Sequence, residues 1–546
     1  MFQNMWQRFF VFVRYLERVR VVPLQYIGSI AGVIFLRVFF ENYSSPHASG
    51  MYTSWLTTFL HYPLFYLAIS FSLILAVHAY TRIALPLLLK AWVFLFPLIL
   101  LPPWIDLLYT AGRGWGQAYL FQTGPELVRS FFTFFGPWFE PGITLGIRIE
   151  VVVVLLCVGF LAWVFSNRLW RVAAAILSVY GVFFLYFSFP SIIALVFGDV
   201  SVFSDVSDVL HSWFASSLLS TIHTPSPLPL DAVLLFEHQF NIFFARVWWI
   251  VFFIQAAVVC RLVRPRLFAV WKTNLRLERI VYYIGWTGTG IVIAALLFHR
   301  VSWNGIDIMA IAMVFFLMAI NFWVAVGIND IADYDTDRIA NPDRPFVSGQ
   351  ITKMEQQWIT WGLFGFLVAG SLLINYLFFI FSLVFQVVYY LYSSPPFRIK
   401  KYFLLNNVFV AFNGVVAVLA GFFAVSPVQR LRIFPASVFW LLFGILVLAV
   451  HVKDIKDVAG DKSAGIITIP VLFGLERGKR IIGIFIALGV LLSSLFIGTL
   501  WGVGFCFLFA VLFYWALLRK PFEERLLFYF FYGYLACMLF FVFYAV

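Results

Sequence analysis

Four carboxylates and an amide crowd the stretch Asn329-Asp330-Ile331-Ala332-Asp333-Tyr334-Asp335-Thr336-Asp337, directly after the apolar run Ile306 to Ile328. Charge is costly where a chain leaves hydrocarbon unless something positive meets it, so this is a site hypothesis by default. On a continuous helix, Asn329, Asp333 and Asp337 fall at i, i+4 and i+8 and share one face, with Asp330 beside them. A second cluster, Lys453-Asp454-Ile455-Lys456-Asp457-Val458-Ala459-Gly460-Asp461-Lys462, ends the apolar run Val438 to Val450. It sets Asp454, Asp457 and Asp461 at i, i+3 and i+7, again one helical face. Mg²⁺ takes oxygen ligands, keeps several waters and is usually held by one or two carboxylates together with a substrate's phosphates. Two acidic rows at two helix ends therefore read as a clamp for a diphosphate.

The elements that must hold these rows are membrane spans. The chain has 546 residues, of which 63% are hydrophobic, 21% aromatic and only 11% charged, with a mean hydropathy of +0.96. That composition excludes an ordinary soluble domain and implies an all-α polytopic membrane protein. Apolar runs long enough to cross a bilayer stand near 23–40, 58–79, 82–103, 147–166, 170–197 and 241–260. A second series stands near 280–298, 304–328, 355–375, 377–393, 403–425, 433–451, 480–499, 501–518 and 524–546. About fifteen transmembrane helices are thus expected, six and then nine. The net charge of +12 does not imply nucleic acid, because cytoplasmic loops of membrane proteins collect Lys and Arg.

Placing the N-terminus in the cytoplasm puts Arg82, Arg168, Arg171 and the run Arg261 to Arg279 on that side. The alternate loops of the first series then hold only Arg113 and Arg129. In the second series Arg300, Arg430 and Arg432 are the outward exceptions, and both acidic clusters come out cytoplasmic. Residues 261–279 interleave Arg and Lys with Leu267, Phe268, Trp271 and Leu275, the pattern of an amphipathic connector along the headgroups. The expected domains are therefore 1–260, with six spans, the connector 261–279, and 280–546. Cys157, Cys260, Cys506 and Cys537 stand singly and form no metal or redox motif. Arg148 and Glu150 suggest an intramembrane ion pair, but side chains two apart on a helix do not face each other.

The motif Asn329-Asp330-x-x-Asp333-x-x-x-Asp337, followed by Asn341-Pro342-Asp343-Arg344-Pro345, resembles the first aspartate motif of the UbiA superfamily of intramembrane prenyltransferases. Lys453-Asp454-x-x-Asp457-x-x-x-Asp461-Lys462 resembles its second, and Tyr392-Ser393-Ser394-Pro395-Pro396-Phe397-Arg398-Ile399-Lys400 is similar to the loop after the family's fourth helix. The resemblance covers roughly 265–546 and implies a nine-helix bundle of UbiA type. The resemblance does not extend to residues 1–260, whose role it leaves open.

The resemblance further implies Mg²⁺-dependent transfer of a prenyl group from an allylic prenyl diphosphate to a lipophilic acceptor, aromatic or polar-lipid, within the membrane. Metal or diphosphate-water contact falls to Asn329, Asp333, Asp337, Asp457 and Asp461, with Asp330 and Asp454 in support. Direct phosphate contact falls to Arg344, Lys453 and Lys462, then Arg398 and Lys400. One departure concerns Tyr392: family members often carry a lysine four residues after this tyrosine, and here that residue is Pro396. The local wording leans toward the ether-lipid and chlorophyll branch rather than the quinone branch. The competing class is a cation-coupled transporter or channel, which needs charge spread through the depth of several spans.

Overall fold

The computed structural model describes residues 11, 13–19, 23–44, 57–110, 119–137, 143–197, 206–217, 232–273, 275–299, 303–456, 458–463 and 465–544. Among them the chain is helical and no strand forms. The reason is elementary: hydrocarbon offers no partner to a peptide group, so each segment must satisfy its own N–H and C=O groups. Twelve helices among the described residues are long and apolar enough to cross a membrane. The three other expected positions are also helical, at Pro23–Ser44, Lys353–Leu372 and Glu524–Tyr544. The protein is an integral membrane protein. Its backbone divides into two compact units between Pro265 and Arg266.

The first unit contains α1 (Pro23–Ser44), α2 (Tyr62–Thr81), α3 (Leu85–Leu95), α4 (Leu101–Thr110), α5 (Gly124–Phe132), α6 (Leu145–Ser166) and α7 (Leu169–Phe187). Then come α8 (Phe189–Phe197), α9 (Val206–Ala215) and α10 (Ala232–Val263). The expected single span 170–197 is broken between α7 and α8. Pro190 has no N–H to continue the ladder, and Ser188 instead turns its hydroxyl back onto the Phe184 carbonyl at 2.5 Å. The ion pair suspected within α6 does not form. Glu150 accepts from Arg37 Nη1 at 3.3 Å, and Arg37 Nε also reaches Glu41 at 2.7 Å. Arg148 donates instead to the backbone carbonyls of Phe134, Phe135, Gly136 and Pro137, at 2.5–3.2 Å. One guanidinium thereby satisfies a non-helical turn where no ladder can. The loop residues 111–118, 198–205 and 218–231 lie outside the described residues, with Gly112, Gly114, Gly116, Asp199 and Asp205 among them.

The second unit contains α11 (Pro265–Thr273), α12 (Leu277–Leu297), α13 (Gly305–Ala332), α14 (Tyr334–Ala340), α15 (Lys353–Leu372), α16 (Tyr376–Ser393) and α17 (Leu405–Val425). It continues with α18 (Ala436–Ala449), α19 (Val458–Ser463), α20 (Ile469–Phe473), α21 (Leu475–Leu492), α22 (Leu500–Leu518) and α23 (Glu524–Tyr544). Polar caps fix where these helices begin. Asn304 and Asp307 form a capping box on α13, Thr352 and Glu355 one on α15, and Asn375 accepts from the Phe378 amide at the start of α16.

α12 and α17 cross most closely, and small residues make the crossing possible. A Cβ on Gly290 would stand 1.9 Å from the Val418 carbonyl oxygen, and one on Gly421 1.9 Å from that of Thr287. Both obstacles are backbone, which cannot step aside as a side chain can. Gly421→Val is therefore expected to destabilise the protein by about 3 kcal/mol, the upper end of ordinary overpacking. Thermal unfolding of the purified protein in detergent measures this, and a melting temperature equal to the wild type contradicts it.

Candidate functional site

The two acidic stretches lie at helix ends, and both helices break there. α13 stops at Ala332 and α14 restarts at Tyr334, with Asp333 between them at φ −101°. The ladder nevertheless runs through the break. Asp333 N bonds Asn329 O at 2.9 Å, Asp337 N bonds Asp333 O at 2.8 Å, and Asn341 N bonds Asp337 O at 2.8 Å. The i, i+4, i+8 row expected from spacing is kept. The second stretch differs from expectation. α18 tightens into a 3₁₀ turn over Val450–Ile455, and α19 begins afresh at Val458. Asp454 and Asp461 therefore do not lie on one continuous helix face, and Asp457 lies outside the described residues.

The two stretches meet. α14 packs against α19, and both border one cavity of about 330 Å³. Asn329, Asp333 and Asp337 of the first stretch line it, and so do Lys453, Asp454 and Asp461 of the second. Its body is aromatic, with Tyr282, Tyr283, Trp286, Phe322, Tyr389 and Phe531 in the wall. The lining thus combines the charged residues of the two stretches with apolar and aromatic side chains.

Every acidic side chain of the first row has a positive partner. Lys400 Nζ and Arg398 Nη2, the latter at 3.3 Å, donate to Asp333 Oδ1. Arg344 Nη1 donates to Asp337 Oδ2, while Asn341 Nδ2 reaches Asp337 Oδ1 at 3.1 Å. Arg276 Nη2 meets Asp330 Oδ1 at 2.8 Å, and Arg344 lies 3.5 Å from the same oxygen. Ser393 donates to Asn329 Oδ1 at 2.6 Å. Burial pushes the Asp337 carboxyl above the usual carboxylate range, against the pull of Arg344. Burial likewise lowers the Lys400 ammonium, against the pull of Asp333.

Several expected placements need correction. Asp330 is 3% exposed and bound to Arg276 and Arg344, and it does not border the cavity. Lys462 is exposed and does not border the cavity, although its neighbour Asp461 does. Arg398 does not border the cavity, and it donates to Asp333 and Thr336, which do. Among the described residues no three His, Cys, Asp or Glu side chains form a ready metal cage, because Arg and Lys are interleaved with the carboxylates. That donor set still fits Mg²⁺, since this ion is usually held by one or two carboxylates and completed by substrate phosphates. Asn329, Asp333 and Asp337 from the first stretch and Asp454 and Asp461 from the second are hard oxygen donors of that kind, and all five border the cavity.

Tyr392 keeps a lysine partner despite the Pro396 departure, but from elsewhere in the chain. Lys453 Nζ donates to Tyr392 Oη at 2.9 Å and sits 4.8 Å from the ring centroid. Two arginines that composition assigns to the connector also line the cavity. Arg276 is bound to Asp330, and Arg279 lies 3.5 Å from Glu524 on α23. Their spacing at the first turn of α12 was the available signal, and the basic run around them masked it.

Residues 281–545 match a family profile described as the UbiA prenyltransferase family. A digeranylgeranylglyceryl phosphate synthase of Methanocaldococcus jannaschii is 30% identical over 230 residues, 40% of this chain and 77% of that protein. One of Thermococcus gammatolerans is 29% identical over 193 residues, 35% of this chain and 67% of that protein. A solved UbiA homolog from Archaeoglobus fulgidus, bound to GPP and Mg²⁺, aligns with a TM-score of 0.38 at 20% identity. It covers 50% of this chain and 97% of that one.

Proposed function

The chain belongs to the UbiA prenyltransferase family through its second unit, and we propose that it moves a prenyl group from an allylic prenyl diphosphate to the hydroxyl of a polar lipid. The observation that carries this reading is the meeting of two acidic helix ends over one aromatic chamber. The relatives' shared name, a synthase of a prenylated glyceryl phosphate, supports the choice of acceptor class. The active site is proposed to open on the cytoplasmic side, from the distribution of Lys and Arg.

Asn329, Asp333, Asp337, Asp454 and Asp461, with Asp457, are proposed to hold Mg²⁺ together with the diphosphate. When bound, the ion supplies positive charge to the leaving group. The protein's own part is electrostatic. As the C1–O bond breaks, its electron pair leaves on the diphosphate, and Arg344, Lys400 and Lys453 stand where that charge grows. Asp330 and Arg398 act as positioning residues, fixing Arg344 and Asp333. The ring faces of the chamber meet the positive carbon left behind, and its apolar wall excludes water that would otherwise hydrolyse it. The acceptor oxygen then bonds to that carbon, and its proton passes to the departing diphosphate.

Incubating the full-length protein in lipid nanodiscs with geranylgeranyl diphosphate, Mg²⁺ and a lipid alcohol, followed by mass analysis, tests this. A product heavier by one prenyl group is expected. Release of pyrophosphate with no prenylated lipid contradicts the acceptor class, and no consumption of any prenyl diphosphate contradicts the whole reading.

A further inference from the structure

The first unit holds a cavity of its own, of about 80 Å³, walled by α1, α2, α3, the 3₁₀ turn Phe96–Leu100, α6 and α7. Its two longest walls are single helix faces. Tyr66, Ile69, Leu73 and Val77 follow one stripe of α2, and Glu150, Val154, Val158 and Leu161 one stripe of α6. Each stripe runs about 16 Å along its helix, close to the roughly 15 Å that one leaflet contributes to the hydrocarbon of a bilayer. The cavity is therefore a slot with the reach of one lipid chain.

One end of the slot is charged. Arg37 of α1 lies 5.4 Å from the Tyr66 ring centroid, donates to the Ile99 carbonyl, and meets Glu41 at 2.7 Å and Glu150 at 3.3 Å. Beyond Tyr66 and Glu150 the wall turns apolar, through Leu73, Leu95 and Val158 to Val77 and Leu161. Water suits that part poorly: each molecule needs about 10–15 Å³ and roughly two to four polar partners, and an aliphatic wall gives the room without the partners. The charged end decides the head group. The Arg37 side chain is 2% exposed, whereas that of Glu150 keeps 10% of its surface open and borders the slot. Glu150 Oε2 takes Arg37, and Oε1 retains lone pairs for a further donor. An anionic head brings no donor, and adds negative charge where two carboxyl groups already face one guanidinium. An ammonium brings three donors and one more charge to hold within the membrane. A hydroxyl brings one donor and no charge.

We infer that the first unit binds one uncharged lipid chain in the slot between α2 and α6, with the lipid's hydroxyl donating to Glu150. No residue of the second unit takes part, so the inference is independent of the transfer reaction.

Photolabelling tests it. The full-length protein in phosphatidylcholine nanodiscs is irradiated with hexadecanol carrying a terminal diazirine, and the attachment sites are mapped by mass spectrometry. Attachment is expected near Val77 and Leu161, at the far end of the slot. At about pH 8.5, where the acid is ionised and the amine protonated, hexadecanol is expected to compete about 10-fold better than hexadecanoate or hexadecylamine, the scale of one hydrogen bond. Glu150→Gln keeps an accepting oxygen and removes the charge, and is expected to bring hexadecanoate within about twofold of hexadecanol. Ile74→Trp fills the slot midway and is expected to cut attachment at least about 10-fold. The inference is overturned if attachment scatters over the lipid-facing surface, or if the acid or the amine competes as well as the alcohol. It is overturned too if Glu150→Gln leaves the order unchanged, or if Ile74→Trp is labelled like the wild type. Should Ile74→Trp not fold, the competition orders of the wild type and of Glu150→Gln decide alone.

Discussion

Asp333→Asn is expected to lower prenyl transfer by at least about 10³-fold, because it removes a proposed metal-binding charge where the leaving group needs it. The same side chain has a second duty that complicates the measurement. Asp333 is the carboxylate facing Lys400, which is only 6% exposed, and it also holds Arg398 at 3.3 Å. Breaking one side of a buried pair leaves the other charge uncompensated, at about 3–5 kcal/mol. A loss of activity in the single variant could therefore reflect a weakened fold. The double variant Asp333→Asn with Lys400→Met separates the duties. Its melting temperature is expected to return toward the wild type, since neither buried charge is then left alone. Its transfer rate is expected to stay at the level of the single variant or below it. Recovery of transfer together with stability would mean that Asp333 only neutralises Lys400, and the clamp would lose its central member.

The difference between Asp333 and Asp330 shows where legibility in the sequence ends. Helical spacing alone identified the row Asn329, Asp333 and Asp337, because the i to i−4 ladder that defines that spacing survives the break at Asp333. Spacing also places Asp330 next to the row. It cannot say that Arg276 from the start of α12 would bury Asp330 and take it out of the cavity, a contact between residues far apart in the chain. The second stretch was legible as a cluster but not as a shape, since nothing in Lys453 to Lys462 announces that Asp454 falls in a 3₁₀ turn and Asp461 in a separate helix that starts at Val458. The helical class and the span positions follow from hydropathy and the bilayer's demand for satisfied backbones. The α12 and α17 crossing does not, because Gly290 and Gly421 acquire meaning only when each is seen against the other helix's carbonyl.

Lys453→Met is expected to reduce kcat by about 10²–10³-fold, the usual effect of deleting one preorganised group that meets developing charge. Its position explains why. Lys453 leads the second acidic stretch, lies 4.0 Å from Asp454 Oδ1, and is held over the Tyr392 ring with its Nζ on the phenol oxygen. A flexible four-carbon stem ordinarily lets an ammonium wander, so Tyr392 supplies the restraint that makes the charge preorganised. Two gradations follow. Tyr392→Phe keeps the ring face, and with it the cation–π contact, and is expected to cost only about 10-fold. Tyr392→Leu removes both contacts and is expected to fall between Tyr392→Phe and Lys453→Met. Lys453→Arg is not expected to restore the rate, because a planar fork cannot take the same seat between the phenol oxygen and Asp454. Continuous measurement of pyrophosphate release by the four variants tests the order. If Lys453→Met stays within threefold of the wild type, the leaving group draws its positive charge from Arg344 and Lys400 alone, and Tyr392 has no part in positioning it.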